Sequence, residues 1–258
     1  MKVAVAGGTG LTGRHVVAQL LGAGHEVTIL ARSRGVDLMT GSGLDTALDG
    51  IDVTIDVTSV TTIRRKQSVT FFTAAGSNLL AAAQKAGVRH HIALSIVGID
   101  RVKYGYYEGK LRQEELVRGA PIPWTILRAT QFHEFADQYL AQVPGPFALI
   151  PRMRTQPIAV REVAQHLVDL AGQQPRQMAP ELAGPREESL SDMVRRLQQA
   201  RGQHRPMVPL WIPGAGPRAM ANGGLLPDRP GPRGKQTFDE WLAETFPATT
   251  GHNVGSNR

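Results

Sequence analysis

A tyrosine and a lysine, Tyr106 and Lys110, lie four residues apart, and in a helix they would share one face. A nearby cation favours the ionised form of a phenol, whose ordinary pKa is about 10, so the pair could move a proton near neutral pH. Neighbouring Tyr104 and Tyr107 have a glutamate and a leucine at the same spacing. Tyr106 is therefore the predicted proton donor.

Ser95 ends a short apolar segment that reads as a buried strand. Ligands of open α/β sheets gather at the carboxyl ends of the strands. The hydroxyl of Ser95 is therefore predicted to hydrogen-bond a substrate oxygen.

A glycine-rich turn, G-G-T-G-L-T-G, follows the first strand-like segment and leads directly into an apolar helix. From Gly8 onward it matches G-x-G-x-x-G, in which the glycines allow a tight turn, close approach of a pyrophosphate and close helix–strand packing. The helix N-terminus then points at the phosphates. The predicted dinucleotide-binding residues are Gly7, Gly8, Thr9, Gly10, Leu11, Thr12 and Gly13.

The segment Ala31-Arg32-Ser33-Arg34 ends the second strand, nineteen residues after the last glycine of the turn. NAD-binding proteins place an acid about 20 residues on, against the ribose hydroxyls, and this chain has none there. Guanidinium groups instead suit a 2′-phosphate. Arg32, Ser33 and Arg34 therefore predict NADP(H) as the cofactor.

Together, the glycine turn, Ser95, Y-x-x-x-K at Tyr106 to Lys110 and W-T-I-L-R-A-T-Q-F from Trp124 resemble the short-chain dehydrogenase/reductase superfamily, in its atypical, NmrA-like branch of NAD(P)H-binding oxidoreductases. The resemblance covers about the first 170 residues. It implies that Ser95 polarises a substrate carbonyl, Tyr106 passes the proton, and Lys110 lowers the tyrosine pKa and holds the nicotinamide ribose. Thr58 and Ser59 would lie beside that ribose.

The leading functional hypothesis is an NADPH-dependent reductase of a small ketone, quinone or polyketide-like compound, in which the cofactor carries the difficult chemical step. Some members of the branch have lost the tyrosine and act as nucleotide-responsive regulators, so a non-catalytic redox sensor is one alternative. A sugar-nucleotide epimerase or dehydratase using the same triad is another. Substrate identity and oligomeric state stay open.

The first 130 residues alternate strand-like and helix-like segments, which predicts a Rossmann-like, doubly wound parallel sheet in an α/β fold. Strands are expected at 2–6, 26–30, 53–57, 91–96 and 124–127, and helices at 11–21, 69–86 and 108–117. The division predicted is a dinucleotide-binding core over 1–130, a smaller, mostly helical substrate lobe over 131–246 and a flexible tail over 247–258.

Four helices are expected in the lobe, at 133–141, 161–170, 190–200 and 238–246, the last two with box-like caps at Ser189 and Thr237. Residues 213–234 are crowded with Gly and Pro, which predicts either a mobile loop over a site or an irregular connection. Gln131, Phe132 and His133 could line a substrate pocket, although a solvated or core histidine is the commoner case.

His90 and His91 would point to opposite faces of a strand, and the chain has no H-E-x-x-H, so no metal site is predicted. The absence of cysteine excludes disulfides, thiolate zinc sites and a cysteine nucleophile.

The chain has 258 residues, of which 41% are hydrophobic and 20% charged, as in ordinary folded proteins. No apolar run approaches the ~20 residues of a membrane span, so a cytoplasmic protein without a membrane partner is expected.

The net charge of +7 invites a nucleic-acid hypothesis. The one tight basic cluster, Arg64-Arg65-Lys66, has no interleaved aromatic residues, so nucleic-acid binding is not predicted.

Overall fold

A six-stranded parallel sheet forms the centre of the computed structural model, which describes residues 1–247. The strands that form it are β1 (Lys2–Ala6), β2 (Glu26–Leu30), β3 (Val53–Asp56), β4 (His90–Ile96), β5 (Trp124–Ala129) and β8 (Gln177–Met178). Their spatial order is β2-β1-β3-β4-β5-β8, and each neighbouring pair is parallel. The predicted doubly wound α/β sheet is confirmed.

Helices cover both faces of the sheet, because strands buried on two sides need two apolar layers. The helices of these layers are α1 (Leu11–Gly22) and α6 (Val160–Ala171) on one face, and α2 (Leu44–Ala47), α3 (Arg65–Lys85) and α4 (Gly105–Gly119) on the other. Both α3 and α4 begin earlier than their sequences predict. The first turn of α3 is exposed and polar, and α4 opens on a glycine, so neither start carries an apolar periodic signal.

The rest of the chain adds four helices and two small sheets around a third apolar core. These elements are α5 (Phe135–Gln142), α7 (Leu190–Ala200), α8 (Ala215–Ala221), α9 (Phe238–Thr245), and the strands β6 (Ala148–Pro151), β7 (Arg154–Thr155), β9 (Glu188–Ser189) and β10 (Met207–Leu210). The side chains of Ser189 and Thr237 cap α7 and α9, and Thr237 forms a full capping box. The small sheets were not predicted, because strands of two to four residues give no periodic pattern.

The chain beyond residue 130 contributes α6 and β8 to the central layers. The division into a core and a substrate lobe at that residue stays a prediction. Apart from Pro247, the tail predicted over 247–258 lies outside the described residues. None of the helices within residues 1–247 combines the length and the apolar character needed to cross a bilayer.

Candidate functional site

The glycine turn joins β1 to α1 at the point where the strand order reverses, which is where ligands bind in open α/β sheets. Gly7 has a left-handed backbone, with φ +78°, and a Cβ there would lie 3.0 Å from the carbonyl carbon of Val57. A Cβ on Gly13 would lie 2.1 Å from the Gly7 oxygen. A Cβ on Gly10 would meet only that oxygen, at 3.3 Å, and otherwise points into open space.

The three positions therefore need glycine for different reasons. The fold itself requires Gly7 and Gly13, whereas at Gly10 the free space suits a group approaching the backbone from outside. Within residues 1–247, no side chain caps α1 and its first turn has no acid, so its first backbone N–H groups are free for an anion. This cradle fits the pyrophosphate of a dinucleotide.

Arg32, Ser33 and Arg34 form a short exposed 3₁₀ turn directly after β2. The strand β2 pairs with β1 in register from Lys2 to Ala6, so this turn and the glycine turn follow the same ends of two neighbouring strands. Neither arginine forms an ion pair with a carboxylate in the described part of the chain. Both guanidinium groups are available to an added phosphate.

The phenol of Tyr106 meets the end of β3, where the Tyr106 Oη and the Ser59 Oγ are 2.9 Å apart. The carboxylate of buried Asp56 accepts a hydrogen bond of 2.9 Å from the backbone N–H of Thr58 and so fixes the start of this segment. Burial raises the pKa of Tyr106, and its hydrogen bond with Ser59 offsets only part of that rise. The phenol is therefore protonated at neutral pH.

Two glycines of α4 allow Tyr106 to come this close. A Cβ on Gly105 would lie 2.4 Å from the carbonyl oxygen of Ile63, and one on Gly109 would lie 2.1 Å from the Ser68 hydroxyl. That hydroxyl donates to the backbone oxygen of Tyr106 at 2.9 Å. The sequence signal for this close helix pair is the i, i+4 spacing of the glycines in G-Y-Y-E-G, which the prediction from helical spacing overlooked.

Lys110 does not act on Tyr106 directly in this geometry, which differs from the expectation based on helical spacing. Its buried ammonium donates to the carbonyl oxygen of Leu94 at 2.6 Å and to the side chain of Gln113. Burial lowers the pKa of Lys110 to about 8, although the nearby carboxylate of Asp56 acts in the opposite direction. The ammonium therefore ties α4 to β4.

Ser95 also lies away from Tyr106. It is buried, and its hydroxyl lies beside the Glu114 carboxylate without making a well-formed hydrogen bond. Because Tyr106 and Glu114 are eight residues apart on α4, about 12 Å separates them along the helix axis. The structure thus brings Ser59, rather than Ser95, to the phenol, because the side chain of Ser95 lies beside Glu114.

A family profile described as NAD(P)H-binding matches residues 7–174, which is more than half of the chain. The chain belongs to this NAD(P)H-binding family. Among curated proteins, the photosystem II assembly factor Ycf39 of Synechocystis is 31% identical over 150 residues, covering 51% of this chain and 45% of that protein. The chain thus spans about half the length of this curated relative.

Solved structures share the fold of this NAD(P)H-binding protein at low identity. The NADPH-dependent quinone oxidoreductase QOR2 of Escherichia coli has a TM-score of 0.71 at 17% identity, covering 95% of this chain and 99% of that chain. The NAD-dependent NDP-hexosamine 5,6-dehydratase TunA has a TM-score of 0.72 at 15% identity, covering 95% and 96%. The expectation of an NAD(P)H-binding protein is confirmed by the family profile, and the solved structures support the predicted fold.

An ion network that is buried at Arg128 and Glu114 holds the loop that precedes α4 in this NAD(P)H-binding protein. Two nitrogens of Arg128 donate to the two carboxylate oxygens of Glu114 at 2.8 and 2.9 Å, and a third lies 3.1 Å from Asp100. Burial acts to raise the pKa of Glu114, but Arg128 and, less strongly, Ser95 bring it below its ordinary value. The network fixes the start of the segment that carries Tyr106.

The segment 213–234 packs on the same loop. A Cβ on Gly98 would lie 2.0 Å from the carbonyl oxygen of Gly224, and the guanidinium of Arg101 pairs with Asp228 at 2.5 Å. Of the two outcomes predicted for this Gly/Pro-rich segment, the structure shows an irregular but closely packed connection that contains α8.

The three residues expected at the substrate pocket are largely buried. Gln131 accepts a hydrogen bond from the Thr155 hydroxyl at 2.6 Å, and Phe132 is partly buried in the core. His133 has no exposed surface, and its Nε2 lies 3.1 Å from the carbonyl oxygen of Gln236. His133 is therefore a core histidine, as the commoner alternative anticipated.

We expect His133 to make the fold sensitive to acid. Burial, the main cause, lowers the pKa of His133 from 6.5 to about 4. Between pH 6.5 and about pH 4, the unfolded chain binds a proton at His133 that the folded chain does not. The free energy of unfolding therefore falls as the pH falls, by about 1.4 kcal/mol per pH unit. In urea unfolding across this range, His133→Gln should flatten the slope by that amount. An unchanged slope would contradict the assignment.

Proposed function

We propose that this protein is an NADPH-dependent reductase that acts on the carbonyl group of a small organic molecule, with Tyr106 as proton donor and Ser59 as its hydrogen-bond partner. The main support is the 2.9 Å contact between the Tyr106 Oη and the Ser59 Oγ, next to the glycine turn. A Cβ on Gly7 would lie only 3.1 Å from the Cα of Thr58. The phenol and the cradle are thus neighbours.

In this proposal the cradle at Gly10 and the first N–H groups of α1 hold the pyrophosphate, while Arg32 and Arg34 hold the 2′-phosphate. When bound, the nicotinamide would supply the two electrons that reduce the carbonyl carbon. The remaining residues bind, orient and move the proton.

Tyr106 is suited to the role of acid because burial raises its pKa, so its proton is retained until a stronger base arrives. Negative charge that develops on the substrate oxygen takes that proton. The Ser59 hydroxyl can then donate to the phenolate oxygen and stabilise it. Lys110 acts as a positioning residue, since it holds α4 on β4 through the Leu94 carbonyl.

The direct test is a panel of ketones, aldehydes and quinones, screened by the loss of NADPH absorbance. At least one compound should be reduced at a rate that depends on the protein. If no compound in a broad panel is reduced while NADPH still binds, the non-catalytic sensor becomes the better hypothesis.

The choice of cofactor gives a separate prediction. Replacing Arg32 with alanine removes a charge-assisted contact worth about 1.5 to 3 kcal/mol, so NADPH affinity should fall about ten-fold or more. NADH affinity should barely change, because NADH has no 2′-phosphate. Calorimetric titration with both cofactors measures the difference, and Arg195→Ala, which removes an exposed charge on α7, is the control. Equal affinity of the parent for both cofactors would refute the assignment.

A second candidate is a sugar-nucleotide epimerase or dehydratase with a retained cofactor. Its support is that several solved structures with this fold are nucleotide-sugar enzymes, including TunA and a UDP-glucose 4-epimerase of Thermotoga maritima. Those described with a bound dinucleotide hold NAD. In this chain, position 32 is an arginine, where NAD-binding proteins usually have an acidic residue. Nucleotide that survives purification and proves to be NAD would favour this candidate.

A further inference from the structure

The small sheet of β6 and β10 has one apolar face that is open to solvent. Leu149 and Val208 are paired in register, and both are exposed. The alternate residues Ala148 and Ile150 point into the third core. This sheet therefore has one apolar face that packs on the core and a second apolar face that is exposed to solvent, where polar residues are usual.

Three further exposed apolar residues lie directly before β6 or after β10. Phe147 precedes β6 and is 52% exposed, while Trp211 follows β10 and is 80% exposed, with exposed Ile212 beside it. We call Phe147, Leu149, Val208, Trp211 and Ile212 the docking face. Single exposed apolar residues are common, but a group of five that includes two aromatic rings is typical of an interaction surface.

The chain segments that carry the docking face are rich in basic residues, some of which pair with carboxylates from elsewhere, such as Arg154 with Glu187 and Arg201 with Asp137. The two segments, residues 138–161 and 193–227, contain no aspartate or glutamate but several arginines. The whole chain has a net charge of +7. A partner of negative charge is therefore complementary to this surface.

Arginines stand at both ends of the two strands. Leu210 pairs with Pro151, so the same register continued by one residue sets Arg152 beside Trp211. At the other end, Arg205 donates to two backbone carbonyl oxygens, those of Val143 and, at 2.7 Å, Phe147. Among the described residues, neither guanidinium forms an ion pair with a carboxylate.

We propose that the docking face binds the surface of an anionic lipid bilayer, with Trp211 and Phe147 entering the interfacial layer and Arg152 and Arg205 binding lipid headgroups. Aromatic rings favour that layer, and basic side chains next to them add attraction to acidic lipids. A second copy of the chain fits less well, because a two-fold contact would bring these arginines together. Surface docking requires no membrane-spanning segment.

The experiment measures binding of the full chain to vesicles. Vesicles of phosphatidylglycerol mixed with phosphatidylcholine should sediment with the protein, whereas vesicles of phosphatidylcholine alone should bind it far more weakly. Added salt should weaken the binding, because headgroup attraction is screened. Tryptophan fluorescence should shift to the blue on binding, since Trp211 is exposed and the other two tryptophans, Trp124 and Trp241, are partly buried already.

Variants of exposed residues test the surface without disturbing the fold. Trp211→Ser should lower vesicle affinity about ten-fold and remove the fluorescence shift, and Arg152→Gln should lower affinity about five-fold. Leu21→Ser, an exposed apolar residue on α1, and Lys66→Gln, an exposed cation on α3, are the matched controls and should bind like the parent.

Three outcomes would overturn the proposal. The parent could fail to bind anionic vesicles, or Trp211→Ser could bind them as well as the parent. Alternatively, the parent could form a dimer that Trp211→Ser abolishes, which would assign the docking face to a second copy.

Discussion

Replacing Tyr106 with phenylalanine is expected to lower turnover by about 10² to 10⁴, the usual contribution of a general acid. The substitution keeps the ring, which packs at 5.8 Å from the ring of Phe72, and removes only the hydroxyl that meets Ser59. NADPH affinity should barely change, because in the proposed arrangement the cofactor is held by the glycine turn and Arg32. Steady-state rates and calorimetric titration of the same sample measure both quantities.

Tyr104→Phe is the matched control. Tyr104 precedes α4, packs on the ring of Tyr107 at 5.2 Å and makes no side-chain hydrogen bond with any described residue. Its variant should turn over substrate like the parent. A fully active Tyr106→Phe would remove the proposed role of Tyr106, while a loss of NADPH affinity equal to the loss of rate would indicate a structural role.

Replacing Gly10 with valine should abolish nucleotide binding and leave the fold intact. A Cβ at Gly10 meets only the oxygen of Gly7, at 3.3 Å, so the branched side chain can project into the space where the pyrophosphate must approach the backbone. Calorimetric titration with NADPH, together with a thermal unfolding curve, separates the two effects.

Two other glycines of the same helix serve as comparisons. A Cβ on Gly22 meets nothing within 4 Å, so Gly22→Val should bind NADPH normally. A Cβ on Gly13 would lie 2.1 Å from the oxygen of Gly7, so Gly13→Ala should lower the unfolding temperature. If Gly10→Val binds NADPH like the parent, the cradle does not hold the pyrophosphate.

The sequence by itself determined the main sheet and the glycine turn. Short Val- and Ile-rich segments separated by helical patterns predict parallel strands, and five of the six strands of the sheet were found in this way. The glycine turn was equally readable, because Gly13 meets Gly7 and Gly8 within the turn itself. Interactions between residues close in sequence leave periodic patterns that one sequence can show.

Only the tertiary structure decided which groups surround Tyr106. Helical spacing set Lys110 beside it, but burial and the Leu94 carbonyl hold the ammonium elsewhere. Ser95 was chosen from its strand end, yet Ser59 reaches the phenol because Gly105 and Gly109 let α4 lie close to α3. Such contacts depend on how helices pack, which local patterns do not encode.

The docking face was likewise decided by the tertiary structure. Its residues come from two stretches about 60 residues apart, neither of which is apolar enough to attract notice alone. Pairing of β6 with β10 brings Leu149 beside Val208 and leaves Trp211 exposed at the strand end. Burial depends on what covers a side chain in three dimensions, so the sequence supplied the apolar residues and the fold decided which of them face solvent.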